Sequence, residues 1–166
     1  INPSHPFSNS IIKHKKYLDA ELKEDEIIRF LKNDKDKFRV MPLGKIRNSN
    51  RFSAFNIESI GGYHPAKLSL FENFIENISN FHSLWKIMNV KYIISPQKMP
   101  DDQLSYLRLQ RVKSGKYYSN FQYSDTYIYE YLDFERRVNL ISNLVAIDSI
   151  SDGYKILNKN SFDLHN

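Results

Sequence analysis

The segment Val90-Lys91-Tyr92-Ile93-Ile94, bounded by Ser95-Pro96, constrains the fold more than any other part of the chain. A short β-branched and aromatic run stopped by proline suits a strand buried on both faces, because such strands read as near-continuous apolar runs. Two amphipathic segments lead into it. Leu68, Phe71, Phe74, Ile75 and Ile78 recur at three- and four-residue steps, and Phe81, Leu84, Trp85 and Met88 repeat the device. Each set falls on one helical face. Helices feeding a buried strand predict an α/β or α+β domain built on a single mixed sheet flanked by helices.

The rest of the chain extends this pattern. Ile27, Ile28, Phe30 and Leu31 form a helical stripe after acidic residues that suit the helix dipole, and Asn33-Asp34 ends it. Phe38 to Leu43 reads as a short strand stopped by Pro42, and Arg51 to Ile60 as a second extended segment. Beyond Pro100, Leu104 to Val112 and Tyr127 to Leu132 predict two strands around a polar turn containing Gly115 and Asn120. Val138 to Ile147 is apolar enough for a further strand, and Ser151 and Asp152 can cap a last short helix through Tyr154, Ile156 and Leu157. Residues 1–23, with Pro3, Pro6 and the basic run Lys13-His14-Lys15-Lys16, show no lasting period and read as an extended arm or linker. Residues 24–166 then make one soluble α/β domain. A start at Ile1-Asn2-Pro3 reads as a segment of something longer.

Composition narrows the function. At 166 residues, 41% hydrophobic and with 23 aromatic side chains (11 Tyr, 11 Phe, 1 Trp), the chain fills one core and is not disordered. No apolar run is long enough to span a bilayer. The net charge of +5 is interleaved with acid along most of the length, which argues against a nucleic-acid partner. The chain has no cysteine, so disulfides, thiolate metal sites and a cysteine nucleophile are excluded. His5, His14, His64, His82 and His165 lack metal-ligand spacing, and no P-loop, nucleophile elbow or dinucleotide fingerprint is present. No metal, cofactor or catalytic residue is therefore assigned.

The candidate binding residues are Gly61, Gly62, Tyr63, His64 and Lys67. Gly61-Gly62 gives the backbone freedom to take positive φ or to approach another group closely, and Pro65 pre-sets the first turn of a helix. A helix start beside a histidine and a lysine suits a phosphate or carboxylate. The competing reading is a tight strand-to-helix turn packed down by Tyr63 and His64. Arg136 and Arg137 are secondary candidates, as a phosphate clamp or as balance for Asp133 and Glu135. So are Tyr127, Tyr129 and Tyr131, whose row suits either sugar stacking or sheet packing. The pair Asp101-Asp102 reads as a solvated turn.

Asp25-Glu26-Ile27-Ile28-Arg29-Phe30-Leu31-Lys32, Phe38-Arg39-Val40, Ser59 through Leu68, and Met88-Asn89-Val90-Lys91-Tyr92-Ile93-Ile94 together resemble the YfhO-like family of bacterial multi-spanning membrane proteins. The Ile-Gly-Gly-Tyr-His and Asn-Val-Lys-Tyr elements are the specific part, and the resemblance covers about residues 24–160. Where that family has a Pro-Arg pair, this chain has Arg136-Arg137. The family is similar to glycosyltransferases that move a sugar from a polyprenyl-phosphate carrier to an envelope polymer such as a teichoic acid. The resemblance implies an extracytoplasmic domain on the outer face of the bacterial cell membrane, partnered by its own transmembrane region and inactive alone. It also implies a role in binding an anionic glycopolymer acceptor or the carrier, or in shaping the active-site mouth. The alternatives are a structural or oligomerisation domain and a stand-alone carbohydrate-binding module, which would expose the tyrosine row.

Overall fold

In the computed structural model, which describes residues 18–63, 68–119, 122–138, 144–159 and 162, the first complete helix begins where Asp25 caps it. The Asp25 carboxylate accepts the Ile28 N–H at 2.9 Å, and Glu26 and Lys32 complement the dipole of α1 (Glu26–Asn33). Ile27, Ile28 and Leu31 are its buried stripe. Of the expected arm, residues 18–21 are helical and 1–17 lie outside the described residues.

A five-stranded sheet follows, in the order β2-β1-β3-β5-β4. Strands β1 (Arg39–Pro42), β2 (Glu58–Ser59) and β3 (Val90–Ser95) are parallel. The hairpin of β4 (Leu109–Ser119) and β5 (Gln122–Tyr131) joins β3 antiparallel, with Ser95 opposite Tyr127 and Tyr92 opposite Glu130. As expected of a central strand, all six residues of β3 are buried.

Helices cover both faces. Against one face α1 and α2 (Arg51–Ala54) enclose Val40, Ile46, Phe52, Tyr92, Tyr117 and Ile128. On the other, α3 (Ser69–Asn77), α4 (Phe81–Ile87), α5 (Asp101–Tyr106) and α6 (Ile150–Leu157) surround Leu84, Trp85, Ile93, Tyr129 and Tyr131. The fold is thus a single mixed sheet between two helical layers.

Four expectations need correction. Arg51 to Ile60 is mostly not extended: Arg51–Ala54 is helical, Asn56 turns the chain at φ 58°, and only Glu58–Ser59 enters the ladder. The buried Arg51 side chain and the stacking of Phe52 on Tyr117 at 5.2 Å override the local strand preference. Leu104 to Val112 is divided between α5 and β4, because Asp101 and Asp102 after Pro100 start a helix and Arg108 ends it at φ 52°. Gly115 is not in a turn but inside β4 opposite Thr126, where a Cβ would collide with the Glu26 side chain of α1; Asn120 lies outside the described residues. Of the expected strand Val138 to Ile147, residues 139–143 lie outside the described residues, and Val138, Leu144, Val145 and Ile147 are exposed and outside the sheet. Apolar content alone does not give a segment a neighbouring strand.

Two smaller points concern a helix cap and a helical face. Ser149 caps α6, accepting the Asp152 N–H at 3.2 Å, in place of Ser151 and Asp152. The stripe preceding β3 is only partly core: Ile78 is buried and Phe74 and Ile75 half-buried, while Leu68 is 77% exposed.

Candidate anion site at the carboxyl edge of the parallel strands

The two ends of the parallel strands carry charge differently. At the amino ends, every cluster is internally paired. Arg137 donates to both oxygens of Glu58 at 2.8 Å, and Arg39 reaches the same carboxylate at 3.3 Å. The hydrogen bonds from Arg137 hold the Glu58 carboxyl below its usual range despite some burial. Lys91 donates to Asp34 at 2.6 Å and Asp36 at 2.7 Å, and the Tyr92 hydroxyl donates to Asp34 at 2.7 Å. Burial works against the Asp34 carboxylate, but these donors outweigh it and keep its pKa low. Arg108 forks onto Asp133 at 2.5 and 2.9 Å, again lowering that carboxyl through the hydrogen bond first.

The carboxyl ends differ. Open α/β sheets take ligands here, outside the ends of their parallel strands. The loop after β1 forms a 3-10 turn, Gly44–Ile46, and the loop after β3 crosses Pro96 to Pro100. Between them lies a cleft of about 580 Å³. Lys45, Lys98, Gln97, Gln103 and Ser95 supply its polar groups, and no carboxylate lines it. Neither lysine pairs with a carboxylate among the described residues. Two cations held in a concave, acid-free surface attract an anion, and amides beside them can donate to its oxygens.

The walls are fixed by buried groups. Leu43 N–H donates to the Ile94 carbonyl at 2.8 Å, carrying the β1 to β3 pairing one step further. Ser95 Oγ donates to the Gln97 carbonyl at 2.7 Å and accepts the Gln97 N–H at 3.1 Å, which closes the turn after β3. The hydroxyl of Tyr129 accepts the Met99 N–H at 2.8 Å from below.

Gly61, Gly62 and Tyr63 come to this same edge. The Gly62 N–H donates to the Arg47 carbonyl at 2.7 Å, and Asn50 bonds both the N–H and the carbonyl of Tyr63, at 2.8 and 2.9 Å. A Cβ on Gly61 would strike the Arg47 carbonyl and come within 2.7 Å of the Pro42 ring; Gly62 has φ 119°. The glycines therefore let the loop after β2 lie flat on the 3-10 turn. Tyr63 is left exposed at the rim. His64 and Lys67, with Pro65, lie outside the described residues.

The secondary candidates separate. Arg137 is engaged by Glu58, and Arg136 is exposed beside it. Tyr129 and Tyr131 have their ring faces in the core, and Tyr127 is half-buried against the same cluster. Tyr131 meets His82 Nδ1 at 3.0 Å and Trp85 edge-on at 5.1 Å. The row packs the sheet. Asp101 and Asp102 occupy the exposed first turn of α5.

Lys45 and Lys98 were not among the expected site residues. They are far apart in sequence, and only the parallel pairing of β1 with β3 brings their loops together. A lysine three residues past the end of each of these strands was the available signal. Among the described residues no helix is long and apolar enough to cross a membrane. No protein-family model matches the chain, and no curated protein or solved structure is detectably similar to it.

Proposed function

We propose that this chain is a non-catalytic binding domain of the bacterial cell envelope that holds an anionic glycopolymer, or the phosphate of a polyprenyl-linked sugar, in the Lys45/Lys98 cleft. On this reading it belongs to the extracytoplasmic face of a membrane protein resembling cell-envelope glycosyltransferases, and it delivers acceptor or carrier to a catalytic centre elsewhere. The supporting observation is the cleft at the carboxyl edge, with two lysines and no acid in its lining. The net charge of +5 adds a general attraction for polyanions. The resemblance of residues 24–160 supplies the envelope setting.

The test uses the full gene product in its host. Protease added outside intact cells should cut within residues 24–160, and Lys45→Ala with Lys98→Ala should cut sugar transfer to the envelope polymer while protein level is unchanged. Cleavage only after cell lysis, or undiminished transfer by the double variant, contradicts the proposal.

One observation favours a bracing role instead. Leu68, Leu70, Leu144, Val145 and Ile150 are each more than half exposed, and such apolar groups suit contact with another chain or domain. A pure brace would leave transfer indifferent to the two lysines and sensitive to Leu70→Asp.

A further inference from the structure

A second cleft, of about 420 Å³, opens on the other side of the loop that carries Lys45. Lys45 lines both clefts. The chemistry of the second is different. Beside Lys45 and Arg51, its polar lining is amide, hydroxyl and carboxylate: Asn48, Ser49, Asn50, Ser119 and Glu21. Two of these are already committed, since Asn50 clamps Tyr63 and Ser49 Oγ lies 3.1 Å from the Tyr117 hydroxyl. Asn48 and Ser119 have no side-chain partner among the described residues. Glu21 stands partly exposed, 3.9 Å from Arg51 Nε, whose own hydrogen bonds go to the Glu21 carbonyl at 2.8 Å and to Asp25.

We propose that this cleft is a subsite for an uncharged polyhydroxyl unit, a sugar ring or a polyol, contiguous with the anion cleft through Lys45. Hydroxyl groups both donate and accept, so they match a surface offering an amide, a hydroxyl and a carboxylate acceptor together. It suits an anion less well than the first cleft, because Glu21 would repel one and the Arg51 guanidinium is already held by Asp25. Leu18, Leu22 and Ala54 give the cleft an apolar side for the carbon face of such a unit. The ligand that fills both clefts carries its phosphate at Lys45 and Lys98 and its hydroxyls at Asn48, Glu21 and Ser119. The contiguity rests on the anion reading of the first cleft; the hydroxyl subsite does not.

The test is an amide-resolved titration of the isotope-labelled 166-residue chain with inorganic phosphate, glucose 1-phosphate and glycerol 3-phosphate. Phosphate alone should move the amides of Gln97 and Lys98. The hydroxylated esters should also move Asn48 to Arg51 and Ser119, and at least one should bind about tenfold tighter than phosphate. Which ester is preferred tells ring from acyclic polyol. Asn48→Ala, at an exposed position, should remove that advantage and leave phosphate affinity unchanged, and Glu21→Gln should weaken it. Equal affinity for phosphate and both esters, or shifts confined to the first cleft, overturns the subsite. Esters that shift only the second cleft support the subsite and sink the anion reading; no shift with any probe sinks both.

Discussion

Asp25 is the residue on which three parts of the chain converge. Its carboxylate caps α1 through Ile28 at 2.9 Å, accepts the Tyr118 N–H of β4 at 3.0 Å, and pairs with the fully buried Arg51 at 2.5 Å. Arg51 in turn lies over the Tyr117 ring, 4.9 Å from its centroid. Asp25→Ala removes the cap and leaves the buried Arg51 with only the partly exposed Glu21, 3.9 Å away, as a carboxylate partner, so unfolding free energy should drop by about 3–5 kcal/mol in urea titration. A loss under about 1 kcal/mol would mean the pair is relaxed by solvent. Gly61 makes a narrower claim. Gly61→Ala drives a methyl into the Arg47 carbonyl and the Pro42 ring, and should cost about 2–3 kcal/mol. If the variant unfolds at the wild-type denaturant midpoint, the close approach over the 3-10 turn is not real. At this scale the sequence carried part of the answer: the Gly-Gly pair announced a backbone constraint, but nothing in it said which carbonyl the constraint served.

Among the elements, β5 joins the core to the candidate site. Tyr129 is buried, yet its hydroxyl supports the Met99 amide in the loop that walls the cleft. Tyr129→Phe keeps the ring and deletes that acceptor. The expected result is a stability loss of about 1 kcal/mol with clearly faster hydrogen exchange at Met99, while core amides such as Ile93 exchange at wild-type rates apart from the global change. Unchanged exchange at Met99 would show that the hydroxyl does not position the loop. The same strand shows what sequence patterns reveal. The alternation of Tyr127, Tyr129 and Tyr131 with Ile128 made β5 legible, as the apolar run made β3 legible and the acidic start with its 3.6-residue stripe made α1 legible. The element α2 was not legible, because its helix depends on Arg51 reaching Asp25 across the chain, a tertiary contact with no local trace. The element α5 was legible and was missed; Pro100-Asp101-Asp102 is a helix start, outweighed by the apolar alternation that follows it.

At the scale of the molecule, the amino ends of the parallel strands carry the Arg137–Glu58, Lys91–Asp34 and Arg108–Asp133 pairs, and the cleft at the carboxyl ends is lined by Lys45 and Lys98 with no carboxylate. The paired end sets the response to acid. Asp34, Glu58 and Asp133 are held below the ordinary carboxylate range by their cationic partners, so the stability they add is present above that range and drains as pH falls through their folded-state values. Glu21, raised by burial against the pull of Arg51, acts in the opposite sense: its contribution is present below the ordinary range and is lost as pH rises through its folded value. Asp152, lowered by its hydrogen bonds from Lys155 and Ser149, acts with the three, and four carboxylates against one predict net acid destabilisation below about pH 4. Alkali works on the tyrosines. Burial raises Tyr92, Tyr131 and Tyr117, the last to about 12 even though Ser49 and Arg51 oppose it. Protonated tyrosine is thus favoured by folding, and that contribution is complete below about pH 10 and lost above it. Unfolding followed by circular dichroism should coincide with the late part of the tyrosinate absorbance change; three tyrosines titrating freely while the fold persists would contradict this burial.

On the proposed reading the carboxyl edge binds an anion through Lys45 and Lys98, two residues far apart in sequence that the parallel pairing of β1 with β3 brings together. Calorimetric titration with a glycerol-phosphate oligomer, on the wild-type chain and on the Lys45→Ala/Lys98→Ala variant, tests it most directly. Binding should be saturable, weaken as salt rises and fall by about tenfold or more in the variant, with the thermal transition unchanged. Equal affinity in the two chains, or binding indifferent to salt, would contradict it.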